Sequence, residues 1–403
     1  MKPMPQLRTV LPRWLAMIAG AVVLAACGTR SSPAKVASQQ STPAYNENEV
    51  RELDIKYFTD RARRDPTGAS DLARLGALYL SRSRETGDPR DVLLAEEVAR
   101  RSLRNRAQRN GAAAQVLQSS LLAQHRFDEA LTLAQAAHDA EPDNASLRAA
   151  VGEIQMELGQ YDSARVTFGG VRAALGDPAV APRLARWAEI EGNPDKARRL
   201  LHAALVTVKR LPEVPREQLA WYWLRVGDVE LRAGNFAAAD SAYRSGLAEH
   251  MDDYRLLSAV AHSALLQRKY RRAITFGEKA LSVTLDPATL GTLSDAYAAI
   301  GDSAKSEEYA RVLDVAVLKQ PGAYHRAWSL FLLDHDRHLA TVSRKIREEM
   351  KTRKDVYAYD LLAWSLHKQG RDREAAEAMA KALSQGTRDA QLQYHAREIM
   401  AER

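Results

Sequence analysis

The chain has 403 residues, a formal net charge of +7 and a single cysteine. One cysteine cannot form an internal disulfide, and it excludes a metal site built from several thiolates. The mild positive charge does not by itself indicate nucleic-acid binding. A chain of this length exceeds the size at which one compact core keeps growing, so we expect either two domains or a solenoid of repeated units.

The first 26 residues combine positive charge with a short apolar run. Lys2, Arg8 and Arg13 precede the run from Trp14 to Ala26, and no acidic residue occurs before Cys27. This pattern predicts a secretory signal. The apolar run is shorter than the ~20 residues that a membrane-spanning helix needs, and small residues stand directly before the cysteine, as cleavage by a signal peptidase requires.

The string LAAC, which ends at Cys27, resembles the lipobox of bacterial lipoproteins. The resemblance implies that residues 1–26 form a lipoprotein signal peptide and that lipidated Cys27 becomes the new N-terminus. Gly28 stands where an Asp commonly retains lipoproteins at the inner membrane, which favours the outer membrane facing the periplasm. An uncleaved anchor and a chance match are the alternatives.

Residues 27–48 link this cysteine to the rest of the chain. They are rich in Ser, Gln, Pro and Asn and show no apolar period. Such a segment cannot bury enough surface to offset the entropy lost on ordering, so the composition predicts a disordered tether. A coil of about 20 residues has a root-mean-square reach of roughly 25 Å.

Small residues recur at a regular interval over most of the remaining chain. One set falls about 34 residues apart, with one longer step, and comprises Ala130, Ala164, Ala197, Ala239, Ala273, Ser306, Ala340 and Ala375. A second set lies about twelve positions earlier in many copies and comprises Gly152, Ala185, Gly227, Ala261, Ser294 and Ala363. Two antiparallel helices approach closely only where side chains are small, so the pattern predicts helical hairpins.

This pattern resembles the tetratricopeptide repeat, a helix–turn–helix unit of about 34 residues. The segment WYWLRVGDVELRAGNFAAADSAYRSGL at residues 221–247 carries the family's residues, and residues 359–383 match nearly as well. The resemblance implies an all-α fold, an α-solenoid of about nine repeats over residues 69–386. The copy near Pro321 departs from the pattern, because Trp328 stands where a small residue is usual.

The solenoid needs a cover at each end. Stacked repeats leave one apolar face open at their termini. We expect residues 49–68 to form an N-terminal helical cap and residues 387–403 to form a C-terminal capping helix.

The resemblance also implies where a partner binds, because the first helix of each hairpin lines the concave groove in this family. Projecting that pattern onto three copies gives Trp221, Leu224, Asp228, Arg232, Arg255, Ser258, His262, Tyr357, Asp360, Trp364 and His367. Aromatic and charged side chains in a groove suit an extended or helical peptide. The competing interpretation is that Trp221 or Trp364 packs on a neighbouring repeat.

One subfamily holds carboxylate termini with Lys and Asn side chains in the groove. The corresponding positions here include Ala149 with Glu153, Leu224 with Asp228, and Asp360 with Trp364. We therefore expect no clamp for a chaperone tail.

A second candidate surface is the densest run of positive charge, which comprises Arg100, Arg101, Arg104, Arg106 and Arg109. It could bind anionic lipid, a cell-wall polymer or an acidic partner. An ordinary solvated helix face is the competing interpretation, and the few aromatic residues nearby do not suggest stacking on nucleic acid.

The sequence shows no convincing catalytic constellation, phosphate-binding loop or cofactor motif. The best candidate for a metal is DHDRH, with Asp334, His335, Asp336 and His338. Histidines three positions apart can share a helix face, but a polar corner between two helices explains the same residues, so we expect no metal.

These observations favour a non-enzymatic, membrane-anchored scaffold that binds a protein or peptide partner in the bacterial cell envelope, in assembly, secretion or pilus biogenesis. We expect no cofactor and no nucleic-acid partner. The alternatives are a cell-wall-binding protein that uses the basic face and, less favoured, a metal-dependent enzyme at His335 and His338.

Substitution Cys27→Ser tests the anchor directly. We expect it to leave the repeats folded but to block maturation at the membrane or release the protein from it, because the thiol that carries the lipid is gone. Membrane fractionation of cells that express the variant is the measurement. A variant that still matures and stays membrane-bound would contradict the lipoprotein interpretation.

Overall fold

The computed structural model describes residues 46–319 and 326–401, with the backbone alone described at 317–319. The predicted signal peptide, Cys27 and nearly all of the predicted tether lie outside these residues. The described part forms one compact unit with twenty α-helices and no strand. None of these helices is long and apolar enough to cross a membrane.

The helices are numbered in chain order. They are α1 Glu47–Arg64, α2 Ala69–Thr86, α3 Pro89–Asn105, α4 Gly111–Ala123, α5 Phe127–Ala140, α6 Ala145–Glu157, α7 Tyr161–Gly169, α8 Ala181–Ile190, α9 Pro194–Val208, α10 Arg216–Arg232, α11 Phe236–Glu249, α12 Tyr254–Leu266, α13 Tyr270–Val283, α14 Pro287–Ala299, α15 Ser303–Lys319, α16 Arg326–Asp334, α17 Leu339–Glu349, α18 Val356–His367, α19 Asp372–Ala382 and α20 Ala390–Ala401.

Nine successive pairs, from α2–α3 to α18–α19, form helical hairpins, and α1 and α20 flank them. The predicted all-α solenoid of helix–turn–helix units is thereby confirmed. The first helices of neighbouring hairpins also pack on one another, as α10 does on α12 and α12 on α14. This packing places the first helices on the inner side of the array.

Short polar residues start many of these helices. The carboxylate of Asp253 accepts hydrogen bonds from the backbone N–H groups of Arg255 at 3.0 Å and Leu256 at 3.3 Å, at the start of α12. Such caps satisfy backbone donors that have no partner inside the helix. Asn46 caps α1 in the same way, so the helix begins at Glu47, and the predicted tether boundary at residue 48 was two residues too late.

The recurring small residues lie where the two helices of a hairpin meet. The alanines of the first set from Ala130 to Ala273, together with Ala375, are completely buried. Gly227 of α10 shows why the second set must be small: a Cβ there would lie 2.2 Å from Cε1 of Tyr243 on α11. The close approach of the helices therefore depends on residue size at these positions.

In the hairpin α16–α17, the buried residue of the second helix does not lie at the position that the repeat spacing predicts. Ala340 is exposed, whereas Val342 is completely buried. The buried small residue is the fourth residue of the second helix in the regular copies, and α17 begins at Leu339, so Val342 occupies that place. The extra length between α15 and α17 shifts the spacing, and a fixed interval from Ala273 was wrong here.

The solenoid curves until its later hairpins contact its earlier ones. Several hydrogen bonds join α17–α20 and their connecting loops to α6–α8, and three of them link residues 195, 196 and 197 positions apart in the chain. With a repeat of about 34 residues, this separation corresponds to about six hairpins in one superhelical turn. We call this contact between successive superhelical turns, made by α17–α20 with α6–α8, the seam.

Gly227→Ala tests the packing inside a hairpin. The added methyl group would collide with the ring of Tyr243, and overpacking of this kind costs about 1–3 kcal/mol of unfolding free energy. Gly111→Ala is the matched control, because a Cβ at Gly111 would meet nothing within 4 Å. Urea denaturation followed by circular dichroism should show a lower midpoint for Gly227→Ala alone, and equal midpoints would contradict the packing account.

Candidate functional site

The inner side of the array at α10 and α12 carries seven of the predicted groove residues. Trp221 and Leu224 are half-buried and pack against the cores of their own and neighbouring hairpins. Trp221 also meets Tyr222 edge to face, with 5.0 Å between the ring centroids. Both side chains therefore contribute to packing and leave only part of their surface accessible.

Ion pairs and hydrogen bonds within the protein hold the charged residues of α10. The carboxylate of Asp228 accepts hydrogen bonds from the hydroxyl of Tyr243 and from Arg225, each at 3.1 Å. Arg232 donates to the buried Glu189 of α8 at 2.7 Å. These contacts fix the orientation of each side chain before any partner arrives.

The residues of α12 behave differently from one another. Arg255 donates to Asp253 at 2.5 Å and to the buried Glu217 of α10 at 2.9 Å, and Ser258 donates to Asp286 at 3.4 Å. His262 is exposed, yet desolvation by the surrounding helices lowers its pKa, against the charges of Asp295 and Asp228. His262 therefore lies accessible on α12, the first helix that packs between α10 and α14.

The prediction that α18 lines an open groove was wrong for three residues. Tyr357, Asp360 and Trp364 are all buried. The reason for Tyr357 is the seam: its ring lies between Arg186 of α8, at 4.8 Å, and Arg326 of α16, at 5.0 Å from the guanidinium carbon to the ring centroid. Burial raises the pKa of its hydroxyl.

Asp360 is the centre of a buried polar network. It accepts from Arg326 at 2.6 Å and lies 2.8 Å from Nδ1 of His395 on α20. Burial opposes ionisation of the carboxyl group, but the charge of Arg326 and the hydrogen bond from His395 outweigh that effect and lower its pKa. The network therefore connects α16, α18 and the C-terminal helix.

Trp364 is buried because α20 covers it. Its indole N–H donates to Asp334 at 2.7 Å, and its ring stacks on His395 with 4.4 Å between centroids and on His367 with 5.1 Å. The competing interpretation, packing on a neighbouring element, therefore applies to Trp364. His367 is half-buried beside it and lies 3.7 Å from Asp372.

The basic run is divided between α3 and the segment that follows it. Arg100 donates to Glu96 at 2.8 Å and contacts Glu129, so its charge is compensated. Arg104, Arg106 and Arg109 are exposed, and Arg101 is half-buried. Cell-wall contact through this face stays a prediction.

The four side chains of the DHDRH string point to separate partners. Asp334 accepts from Trp364, His335 lies 2.7 Å from Asp295, and Asp336 lies 2.9 Å from Lys368. His338 lies 3.4 Å from Asp314. In the described part of the chain, no three His, Cys, Asp or Glu side chains converge as metal ligands would.

Three residues that matter in this region were not predicted from the sequence. Arg186, Arg326 and His395 surround the two buried residues Tyr357 and Asp360. Arg186 is 171 positions from the tyrosine whose hydroxyl it contacts at 3.4 Å. No local pattern indicates such a pairing.

Residues 121–186 match the family model described as tetratricopeptide repeat. They run from the end of α4 into α8 and include four of the predicted small positions, Ala130, Gly152, Ala164 and Ala185. The resemblance found in the sequence is confirmed over this segment. A comparison with curated proteins found no match.

Several solved structures are similar to the chain. PilW, a widely conserved type IV pilus biogenesis factor, is 16% identical over 51% of this chain and 93% of its own, with a TM-score of 0.43. Cut9, from the Cut9–Hcn1 hetero-tetramer of the APC/C, is 11% identical over 88% of each chain, with a TM-score of 0.33. Human IFIT1, in a dimer with PPP-AAAA, is 13% identical over 85% of this chain and 96% of its own, with a TM-score of 0.45. Scores below 0.5 assign no function.

Asp360→Asn tests the buried network. The substitution leaves Arg326 without its ion partner, and removal of one member of a buried pair costs about 3–5 kcal/mol; we expect somewhat less because Arg326 is partly exposed. The lowered pKa of Asp360 means that its stabilisation is fully present above the unfolded value of 3.8 and is lost as the pH falls through the lower folded value.

Thermal unfolding of wild type and variant between pH 7 and pH 3 is the measurement. The two melting temperatures should differ by a constant amount down to about pH 5 and converge below pH 4. Glu374→Gln, at a surface pair with Arg371, is the control and should change little. A variant as stable as wild type at pH 7 would contradict the account.

Proposed function

We propose that this protein is a lipid-anchored scaffold of the bacterial cell envelope that binds a protein or peptide partner on the inner side of α10–α14. Tetratricopeptide repeats are protein-binding units, which supports the general role. The observation that carries the location is His262, an exposed side chain on α12, which packs between the first helices α10 and α14.

The chemistry around His262 suits a polar or charged peptide. Asp228 and Asp295 both act on its charge, and Arg225 lies within 3.1 Å of Asp228. Because internal contacts already hold these side chains, a partner does not have to bear the entropy of ordering them. A surface arranged in advance in this way favours recognition of one partner over many.

We propose a non-catalytic role because titratable side chains of the inner side bind one another. Several titratable groups of the inner side are engaged with one another: Asp228 with Tyr243, Arg232 with Glu189 and Asp360 with His395. Such pairs orient and stabilise helices. They do not present the nucleophile and neighbouring base that a covalent mechanism needs.

The membrane anchor and the envelope location rest on the sequence before the first helix. The charged start, the apolar run and Cys27 support lipidation. Asn46 begins the folded body, nineteen positions after the cysteine. A coil of about that length would hold the repeats roughly 25 Å from the lipid surface, which leaves the inner side free to meet a partner.

Photo-crosslinking in cells tests this surface. A photoreactive amino acid placed at His262 should form a covalent adduct with the partner, which mass spectrometry can identify. The matched control is the same amino acid at Arg271, an exposed residue on the outer helix of the same hairpin. An adduct at both positions alike, or at Arg271 alone, would contradict binding on the inner side.

A further inference from the structure

The seam is built around two glycine turns. Gly159, between α6 and α7, and Gly192, between α8 and α9, have φ angles of +76° and +70°. A Cβ at Gly159 would lie 2.2 Å from the carbonyl oxygen of Lys354, and one at Gly192 would lie 2.1 Å from that of Gly386. The backbones of the two superhelical turns therefore approach more closely than any side chain would permit.

Two equivalent turns elsewhere are open, whereas Gly87, between α2 and α3, lies against the distant Thr284, whose Oγ1 a Cβ would approach to 2.9 Å. Gly234, between α10 and α11, and Gly370, between α18 and α19, have φ angles of +79° and +68°. A Cβ at either would meet nothing within 4 Å. Gly159, Gly192, Gly234 and Gly370 all stand where the backbone needs a residue that tolerates the left-handed region, and of these four Gly159 and Gly192 also lie against a distant part of the chain.

Directed hydrogen bonds accompany this close approach. The backbone N–H of Val356, at the first residue of α18, donates to the hydroxyl of Tyr161 at 2.6 Å. The hydroxyl of Thr387 donates to the carbonyl of Ile190 at 2.7 Å. Arg353 donates to Glu157 at 3.1 Å. Each bond supplies a hydrogen-bond partner to a polar group at the end of a helix. Without that bond, the group would need a water molecule as its partner.

Apolar packing completes the seam. Val356 and Tyr357 of α18 belong to the same buried cluster as Met156 of α6 and Phe168 and Trp187 of α7 and α8. This cluster is small, and the other contacts across the seam are made by turns and single side chains. The helix pairs on each side keep their own cores.

A solenoid is held together by contacts between neighbouring repeats. Contacts across the seam are additional to the stacking of neighbouring repeats. The two superhelical turns can therefore separate while every hairpin stays folded. Separation would take Tyr357 away from Arg186 of α8 and expose the ring face that Arg186 covers, while Arg326 of α16 stays on the other face. Closure withdraws that surface from the inner side.

We propose that the seam is a latch: α17–α20 separate from α6–α8 as a unit, and this opening controls access to Tyr357 on the inner side of the solenoid. The latch is a property of the chain alone. It does not depend on the identity of a partner or on binding at His262.

Single-molecule fluorescence transfer across the seam tests this inference. Dyes at Asp162 and Ser384, in the full chain with Cys27→Ser, would lie close together, because the neighbouring Arg165 and Gln385 are 3.2 Å apart. We expect a dominant high-transfer population in wild type with a minor low-transfer one. Gly159→Ala should enlarge the low-transfer population several-fold, without loss of helical circular dichroism.

Gly234→Ala is the matched control, because it carries the same conformational penalty in an open turn and should leave the populations unchanged. The double change Tyr161→Phe with Thr387→Val removes two seam hydrogen bonds without a clash and should act in the same direction as Gly159→Ala. Hydroxyl-radical footprinting should show greater modification of Tyr357 in both seam variants.

The outcomes decide the proposal. If Gly159→Ala behaves like Gly234→Ala, or if the double variant leaves the transfer populations unchanged even where Gly159→Ala unfolds, the seam is not a latch. If transfer falls but modification of Tyr357 does not rise, the seam opens without controlling that surface, and the proposal is equally overturned.

Discussion

The close approach of two helices at small residues is the constraint on which the rest of this structure depends. A completely buried alanine recurs where most hairpins close, and glycine is required where a tyrosine ring fills the space, as Gly227 and Tyr243 show. Because the first helices then pack on one another, the array must curve. The curvature determines both the inner surface and the point where the chain meets itself.

That meeting divides the inner side into two parts with different properties. At α10 and α12 the predicted groove side chains other than His262 are half-buried, and His262 is exposed among groups held by internal contacts. At α18 the surface is enclosed by α8 on one side and by α20 on the other, through Arg186 and His395. The first part is therefore the surface on which we propose that a partner binds, while the second part contributes rigidity.

The sequence predicted the hairpins because their packing depends on residues about twelve positions apart, and residue size is visible in a single chain. It did not predict the burial of Tyr357, because the contact with Arg186 joins residues 171 positions apart. Gly159 and Gly234 look alike in sequence, since both end a first helix, and only the superhelical turn distinguishes them. The prediction of Ala340 in place of Val342 was wrong for a local reason. The chain between α15 and α17 is longer than in the regular copies, and a fixed repeat length does not account for the extra residues.

Hydrogen exchange at the amide of Val356 tests the contact between superhelical turns most directly. This amide is the first of α18, where a helix offers no internal acceptor, and its partner is the hydroxyl of Tyr161, 195 positions away. We expect slow exchange in wild type, exchange at least tenfold faster in Tyr161→Phe, and no change in the control Tyr359→Phe. Exchange in wild type as fast as at Tyr270, which begins α13 without a side-chain cap, would contradict the account.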